Sequence, residues 1–540
     1  MVGGPSRASV LKDFAGGISL AGLLIPEAVA YSSIAGLPPA FGITSAIVGP
    51  LAYATLGRSR LAVVSATSGA AALLAAGIAN AAIPNASRAD CALALTALVG
   101  LFFLLGAVLR VTSLTSFISR AVLHGFGFGL AITISIRQLP ALLGLPATGG
   151  TLLQTLGSLI ARAGEIQLPS LLAGVLVLIV LALARWLRFA SAGLLVVVVS
   201  ILAIRFGPAN HFGISTAGPI AFEAVAPHLP AIAPRDWLRL AQFAFPIAIV
   251  ILAESWATVR TLAATRGDPI SAEREIAALG LANLVTALLR GLPVGAGFSI
   301  GNASAQAGTT SKLGAIFGAI AVAVAAFAIP GWVALIPQPV LAAIVISALT
   351  HALSPRSILS LFHLERDQWV AVTAAIGVLL LGIIDGLLLA VALSVLGLLS
   401  RLAHPSLSEL GRAGTHDFVD CSAHPDATPI QGMLIIRPNA PLFFGNVDAV
   451  LVEAGRRAQA TAATTIVVSL EESDDLDSSA LDAISEFTEA MRAQRRSVIL
   501  ARVHDRARTV LERGGLAALA ANSTFSVDDA VRKALGQTLE

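Results

Sequence analysis

The sequence predicts an α-helical polytopic membrane protein with a small α/β domain at its C-terminal end. Composition, the distribution of charge along the chain and a series of long apolar windows predict it. Hydrophobic residues make up 56% of the 540 and charged residues only 12%, about half the share usual in a soluble domain. A soluble chain of this length would lack the polar surface to cover itself, which excludes a soluble enzyme and a disordered chain. A net charge of +3 is spread too thinly to form an electrostatic footprint for nucleic acid, so no nucleic-acid partner is expected.

Charge also places the domain boundary. Residues 1–402 carry 22 Lys/Arg and 13 Asp/Glu, a net of +9, whereas residues 403–540 carry 13 and 19, a net of −6. The first part is expected to lie in the lipid bilayer, and the second has the composition of an ordinary soluble domain. The break is expected near His404-Pro405. Cys91 and Cys421 fall in different parts, so no disulfide framework is implied. The sequence contains no metal-ligand cluster, P-loop or nucleophile triad, so neither enzymatic activity nor a bound cofactor is expected.

A transmembrane helix needs about 20 mostly apolar residues. Charge-free windows of that kind recur at 28–57, 61–87, 91–109, 166–184 and 313–355. The last is too long for one span, and Pro330, Pro337 and Pro339 mark where it divides. Hydropathy alone gives ten to fourteen spans. Arg7 and Lys12, followed by an apolar stretch and Ala28-Val29-Ala30, imitate a secretory signal. Asp13 and Glu27 fit such a peptide poorly, so a first helix that stays is the expected reading.

Two stretches break the apolar pattern, one in each half of the membrane part. Residues 61–69 run from a β-branched segment into Ser65, Thr67, Ser68 and Gly69; residues 292–304 are interrupted by Pro293, Gly295, Gly297 and Gly301 and rich in small polar groups. Irregular backbone survives at membrane depth only where it lines a cavity or is packed in protein. A pair of interrupted segments in the two halves points to a midplane binding site. Two half-helices starting there would aim free N–H groups and positive dipole ends at an anion. The bland alternative is that the small residues only permit close helix packing. Intramembrane acids are the second clue, because a carboxylate in a bilayer is costly and tends to mark a pathway or proton relay. Glu27 follows Pro26, which is expected to break the first helix, and Glu254 stands one helical turn before Thr258. Glu27 has a competing reading as a hydrogen-bonded group near the interface. Asp385, between two apolar runs, reads as a helix N-cap.

These residues carry a resemblance. Asp13-Phe14-Ala15-Gly16-Gly17, Ile25-Pro26-Glu27-Ala28-Val29-Ala30-Tyr31 and Ala35-Gly36-Leu37-Pro38-Pro39 resemble the first-helix motif of sulfate permease-type anion transporters, the solute carrier 26 family. The likeness continues through Glu254-Ser255, Gly280-Leu281-Ala282-Asn283, residues 291–308 and Ile336-Pro337-Gln338-Pro339, over nearly the whole chain. It implies fourteen segments in two inverted seven-segment repeats, forming a core domain and a gate domain. It also implies an anion site between the third and tenth half-helices, beside an aromatic residue that is here Tyr31. The candidate substrate-binding residues are then Tyr31, Ser68, Phe298, Ser299, Ile300 and Gly301, with Glu27, Glu254 and Thr258 as candidates for handling the coupling proton or ion.

The chain departs from the family pattern in three places. Ser299-Ile300 replaces Ser-Arg, so the expected site cation is absent; Val64-Ser65 replaces Gly-Pro; and Glu27 stands where Gln is usual. Losing a positive residue and gaining a negative one is coherent if a proton restores the balance. The expectation is proton-coupled uptake of a small anion by an elevator-like motion, with sulfate first and bicarbonate or a dicarboxylate close behind. A sodium-coupled symporter, an exchanger or a channel of the same family is the alternative. A fourteen-span alternation beginning in the cytoplasm puts fifteen Lys/Arg, Arg185 among them, on the inner side and seven on the outer. Both termini are therefore expected in the cytoplasm, with the chain in the inner (plasma) membrane. A homodimer is implied by the resemblance alone.

In the C-terminal part, candidate strands at 433–437, 466–470 and 498–503 alternate with candidate helices at 447–459, 479–495 and 507–513. The segment resembles the STAS domain that sulfate transporters share with anti-sigma-factor antagonists, and Asp477-Ser478-Ser479-Ala480 matches its Asp-Ser-Ser-Gly turn. Ser478 and Ser479 are the candidate regulatory positions, against the plain alternative of a helix cap by Ser478 or Asp477. The resemblance implies a possible cytoplasmic partner through this domain.

Overall fold

A computed structural model describes residues 7–110, 120–146, 152–187, 192–207, 212–218, 227–350, 352–363, 368–403 and 405–536. His404, at the expected break, lies outside the described residues. The chain forms two compact units, Met1–Ser394 and Val395–Glu540.

The first unit opens with α1 (Arg7–Ala35), α2 (Pro39–Leu56), β1 (Val64–Ala66), α3 (Ser68–Ala81), α4 (Arg88–Val108), α5 (Arg120–Leu143), α6 (Leu152–Ala161), α7 (Leu168–Trp186) and α8 (Ala192–Phe206). It continues with α9 (Trp237–Arg266), α10 (Ala272–Leu288), β2 (Val294–Ala296), α11 (Phe298–Gln306), α12 (Leu313–Ala328), α13 (Pro330–Val333), α14 (Gln338–Leu349), α15 (Arg356–His363), α16 (Gln368–Leu381) and the part of α17 (Ile383–Ala403) up to Ser394. With the short connecting helices α6, α13 and α15 set aside, the described residues form two series of seven helices. Each begins with a long helix carrying an internal proline, Pro26 or Pro246, and each has a three-residue strand before its third helix. The packing obeys the exchange of one series for the other. Helix α1 packs on α12 as α9 packs on α4, α2 on α12 as α10 on α4, and α5 on α16 as α14 on α7. The pairs α2–α10, α5–α14 and β1–β2 are each formed by a segment and its own counterpart. Because β1 and β2 run antiparallel, the two repeats are inverted. Helices α1–α4 and α9–α12 make the core layer; α5, α7, α8, α14, α16 and α17 make the gate layer.

Among the described residues, seven helices are long and apolar enough to cross a bilayer. On α7, Leu168, Leu172, Leu176, Ile179 and Leu183 are all more than half exposed. That spacing draws one apolar stripe along the helix, the face that lipid covers. The 28–57 window divides at Gly36, which adopts a φ of +66°, and α2 restarts with Pro39 in its first turn. The window at 313–355 divides at Pro330 and again at Pro337, the N-cap of α14. Two expectations are corrected. Pro26 does not break the first helix: α1 continues to Ala35, because packed neighbours let a membrane helix tolerate the hydrogen bond that proline removes. Asp385 is not an N-cap but lies inside the first turn of α17, where a carboxylate still complements the helix dipole.

The two strands cross at the centre of the core layer and are completely buried. Val64 pairs with Ala296, Ser65 with Gly295 and Ala66 with Val294. A two-stranded ribbon leaves its outer edges without partners, and no water is available in a bilayer to take them. On the β2 side, and at Leu292 just before it, side chains do so instead. Asn283 Nδ2 donates to the Val294 carbonyl at 2.8 Å, and its Oδ1 accepts from the Val294 amide at 2.9 Å. Ser255 Oγ accepts from the Ala296 amide at 2.9 Å. Ser45 Oγ accepts from the Leu292 amide at 2.6 Å and donates to the Leu292 carbonyl at 3.1 Å. Helix α9 lies so close that a Cβ on Gly295 would stand 2.8 Å from both Ile251 and Ser255, so only glycine fits.

The second unit is built on a five-stranded sheet in the order β4-β3-β5-β6-β7. Strands β3 (Leu407–Ala413) and β4 (Asp417–Asp420) form an antiparallel hairpin at one edge; β5 (Met433–Pro438), β6 (Thr465–Ser469) and β7 (Ser497–Ala501) run parallel. Leu434 and Ile436 face α18 (Val447–Ala460), α19 (Ser478–Ala493) and α20 (Asp505–Arg513), while Ile435 faces α22 (Val527–Ala534). A short α21 (Ala517–Ala521) lies between. This period-two division buries both faces of the sheet. The hairpin, α21 and α22 were not among the sequence-derived elements.

Asn283→Ala should leave the Val294 N–H and C=O buried without partners, each costing about 1–3 kcal/mol. The expected result is a lower melting temperature of the detergent-solubilised protein; an unchanged melting curve would contradict the role assigned to Asn283.

Candidate functional site

Each strand runs directly into a half-helix. Thr67 caps α3, its Oγ1 accepting from the Ala70 amide at 3.1 Å. Helix α11 has Gly297 at its N-cap and no side-chain cap. The first N–H groups of a helix have no intrahelical acceptor, and at both ends they open on one cavity of about 870 Å³. Its wall includes Thr67, Ser68 and Gly69 from the first repeat and Gly297, Phe298, Ser299 and Ile300 from the second. Two positive dipole ends thus meet one space from opposite repeats.

Of the sequence-derived candidates, Tyr31, Ser68, Phe298, Ser299 and Ile300 all line this cavity, as do Glu27, Glu254 and Thr258. Gly301 does not line it: its Cα turns toward the Leu262 side chain, because one step along a helix rotates the side-chain direction by about 100°. Tyr31 lies between Glu27 and Ser68 and interacts with both. Glu254 sits against the first turn of α3; a Cβ on Gly69 would stand 3.4 Å from each of its carboxylate oxygens. Thr258 follows one turn along α9 and is buried.

The structure also brings in a group that the sequence reading placed on the inner side without a role in the site. Arg185, in the last turn of α7, lines the cavity from the gate layer. A contiguous space of about 610 Å³ shares Glu27, Arg185, Ser299, Gln306, Ser347 and Ala348 with it. Among the described lining residues, Glu27, Glu254 and Arg185 are the acidic and basic groups. No periodicity marks Arg185, which ends an apolar run as many snorkelling arginines do. Only the packing of α7 on α14 shows where it points. In the other unit, Asp477 caps α19, its Oδ1 accepting from the Ala480 amide at 2.8 Å. Ser478 and Ser479 are exposed in the first turn.

A cavity with two half-helix N-termini, hydroxyls and few charges is equipped to hold a small anion and contains no nucleophile–base pair for catalysis. The comparisons agree. The sulfate permease family matches residues 10–393, and the STAS domain family matches residues 424–532. A probable sulfate transporter of Mycobacterium tuberculosis is 32% identical over 495 residues, covering 89% of this chain and 87% of that protein. The chloroplastic sulfate transporter 4.1 of Arabidopsis thaliana is 25% identical over 558 residues, covering 97% and 80%. The murine solute carrier 26 family member A9 anion transporter, solved in its inward-facing state, superposes with a TM-score of 0.88 at 19% identity, over 98% of this chain and 92% of that one. The transmembrane domain of the cyanobacterial bicarbonate transporter BicA superposes at 0.62 and 20% identity, over 73% and 100%. The chain belongs to the sulfate permease family and is a multi-pass membrane transporter, not an enzyme, with a STAS domain at its C-terminal end.

Proposed function

We propose that the protein takes up a small oxyanion, sulfate first, together with protons, by moving the core layer past the gate layer. The observation that carries this reading is the position of Glu254 against the first turn of α3. An ionised carboxylate there occupies the positive end of the half-helix that an anionic substrate would use. Protonation removes the competitor, so proton and anion bind cooperatively. The charges of the cavity support the same conclusion. With Glu27 and Glu254 ionised and Arg185 charged, the lining carries a net −1. A dianion with two protons restores that value, and a monoanion needs one. Sulfate as substrate is supported by the relatives named as sulfate transporters. Sodium is the second reading, favoured by Thr258, whose hydroxyl one turn after Glu254 would add an oxygen ligand for a hard cation.

Placement in the inner membrane with both termini in the cytoplasm is supported by the excess of Lys/Arg on one side of the alternation. The exposed Ser478 and Ser479 are proposed as regulatory positions, since a phosphate there would meet the N-terminus of α19. A homodimer and a cytoplasmic partner for the STAS domain complete the proposal.

In proteoliposomes an inward proton gradient should drive sulfate uptake in sodium-free buffer, and Glu254→Gln should make the residual uptake independent of the gradient. Uptake by the wild type that follows sodium and ignores pH would select the second reading. Ser299→Ala should raise the dissociation constant for sulfate about three- to tenfold, the loss of one hydrogen bond; an unchanged constant would move the site away from α11.

A further inference from the structure

The starts of α3 and α11 carry no positively charged side chain to meet an anion: residues 67–69 are Thr-Ser-Gly and residues 297–300 are Gly-Phe-Ser-Ile. We propose that Arg185 supplies that charge from the gate layer and sets the preference of the site for divalent over monovalent oxyanions. The inference rests on the transport reading above and deepens it.

Arg185 faces the same space as Ser299, Glu27 and Gln306 of the core layer. It is held by neutral groups only: Nη2 donates to the Ser347 carbonyl and to Ser347 Oγ, both at 2.8 Å, and Nη1 donates to Thr350 Oγ1. Among the described residues, no carboxylate forms an ion pair with it. A guanidinium has five N–H groups, so the Nε–H and one Nη1–H remain for a ligand. Arg185 is exposed, and the contacts to Ser347 and Thr350 tether its side chain to α14 and the residue that follows it, which preorganises it as a donor. A charged partner of this kind strengthens hydrogen bonds to an oxyanion, and its attraction grows with the charge of the anion. Backbone amides and dipoles of α3 and α11 supply only partial charges. Arg185 is therefore the one full positive charge that the described lining offers to a substrate.

The test uses the full-length protein in detergent and compares equilibrium binding of radiolabelled sulfate with competition by nitrate. Arg185→Gln should weaken sulfate binding about tenfold or more while changing nitrate binding by less than threefold. Arg185→Lys should fall between. Adding Ile300→Arg to Arg185→Gln, which returns a positive charge to the cavity, should recover most of the sulfate affinity. A purely structural role would instead weaken both anions equally, lower the melting temperature and resist rescue at position 300; that outcome overturns the proposal. Unchanged sulfate affinity in Arg185→Gln overturns it as well, with the transport reading intact. A wild-type protein that binds neither anion overturns both together.

Discussion

The antiparallel pairing of Val64–Ala66 with Val294–Ala296 is the constraint on which the membrane unit depends. It joins the two repeats through backbone, and it leads into the start of both half-helices. Fixing the register of three residue pairs fixes where α3 and α11 begin, and so where their unpaired amides converge. In a bilayer such a ribbon persists only if its outer edges are also satisfied. Asn283 and Ser255 do this for the β2 edge from α10 and α9, and Ser45 of α2 holds Leu292 just before it. Buried polar side chains that would be costly alone are retained because each closes a specific gap in the backbone bonding. The motif Gly280-Leu281-Ala282-Asn283 and the pair Glu254-Ser255 acquire a physical meaning in this way. Asn283 and Ser255 hold the ribbon, and Glu254 is placed beside the half-helix that the ribbon positions.

Much of this was legible in the sequence because its signals are local. A β-branched run followed by hydroxyls and glycine in the first half, and a Pro/Gly-broken stretch of small polar residues in the second, are visible without a fold, and both half-helices start at those breaks. Glu27 and Tyr31 stand four apart, a helical spacing that keeps both on one face, and both line the cavity. Other features were invisible because they depend on tertiary neighbours. Pro26 reads locally as a break, yet α1 runs through it. Gly301 belongs to the motif, yet helical rotation turns it toward Leu262. Arg185 reads only as one of the basic residues of the inner side, and nothing in a one-dimensional pattern records that the end of α7 faces α11 across a cavity. In the STAS domain the parallel strands showed through their Ile/Val content. The strand Leu407–Ala413, between β4 and β5, with Ser408, Glu409, Gly411 and Arg412, carries little β-propensity of its own. It is a strand because β5 offers it an edge.

The distribution of the cavity charges between layers bears on how the transporter works. Both acids, Glu27 and Glu254, are on α1 and α9 of the core layer, and Arg185 is on α7 of the gate layer. If the core moves relative to the gate, the acids travel with the substrate and the arginine stays behind. A dianion leaving the neighbourhood of Arg185 loses its one full counter-charge, and a bare dianion beside two carboxylates in a low-dielectric layer is prohibitively costly. Protonated acids remove that repulsion, so the loaded core can cross only with its protons bound. An empty core with both acids ionised carries the same −2 as a core loaded with a dianion and two protons, so it can return without its protons, as net proton uptake requires. In the proposed mechanism, coupling then needs no separate gate for protons: it follows from placing the titrating groups on the moving layer and the fixed charge on the stationary one.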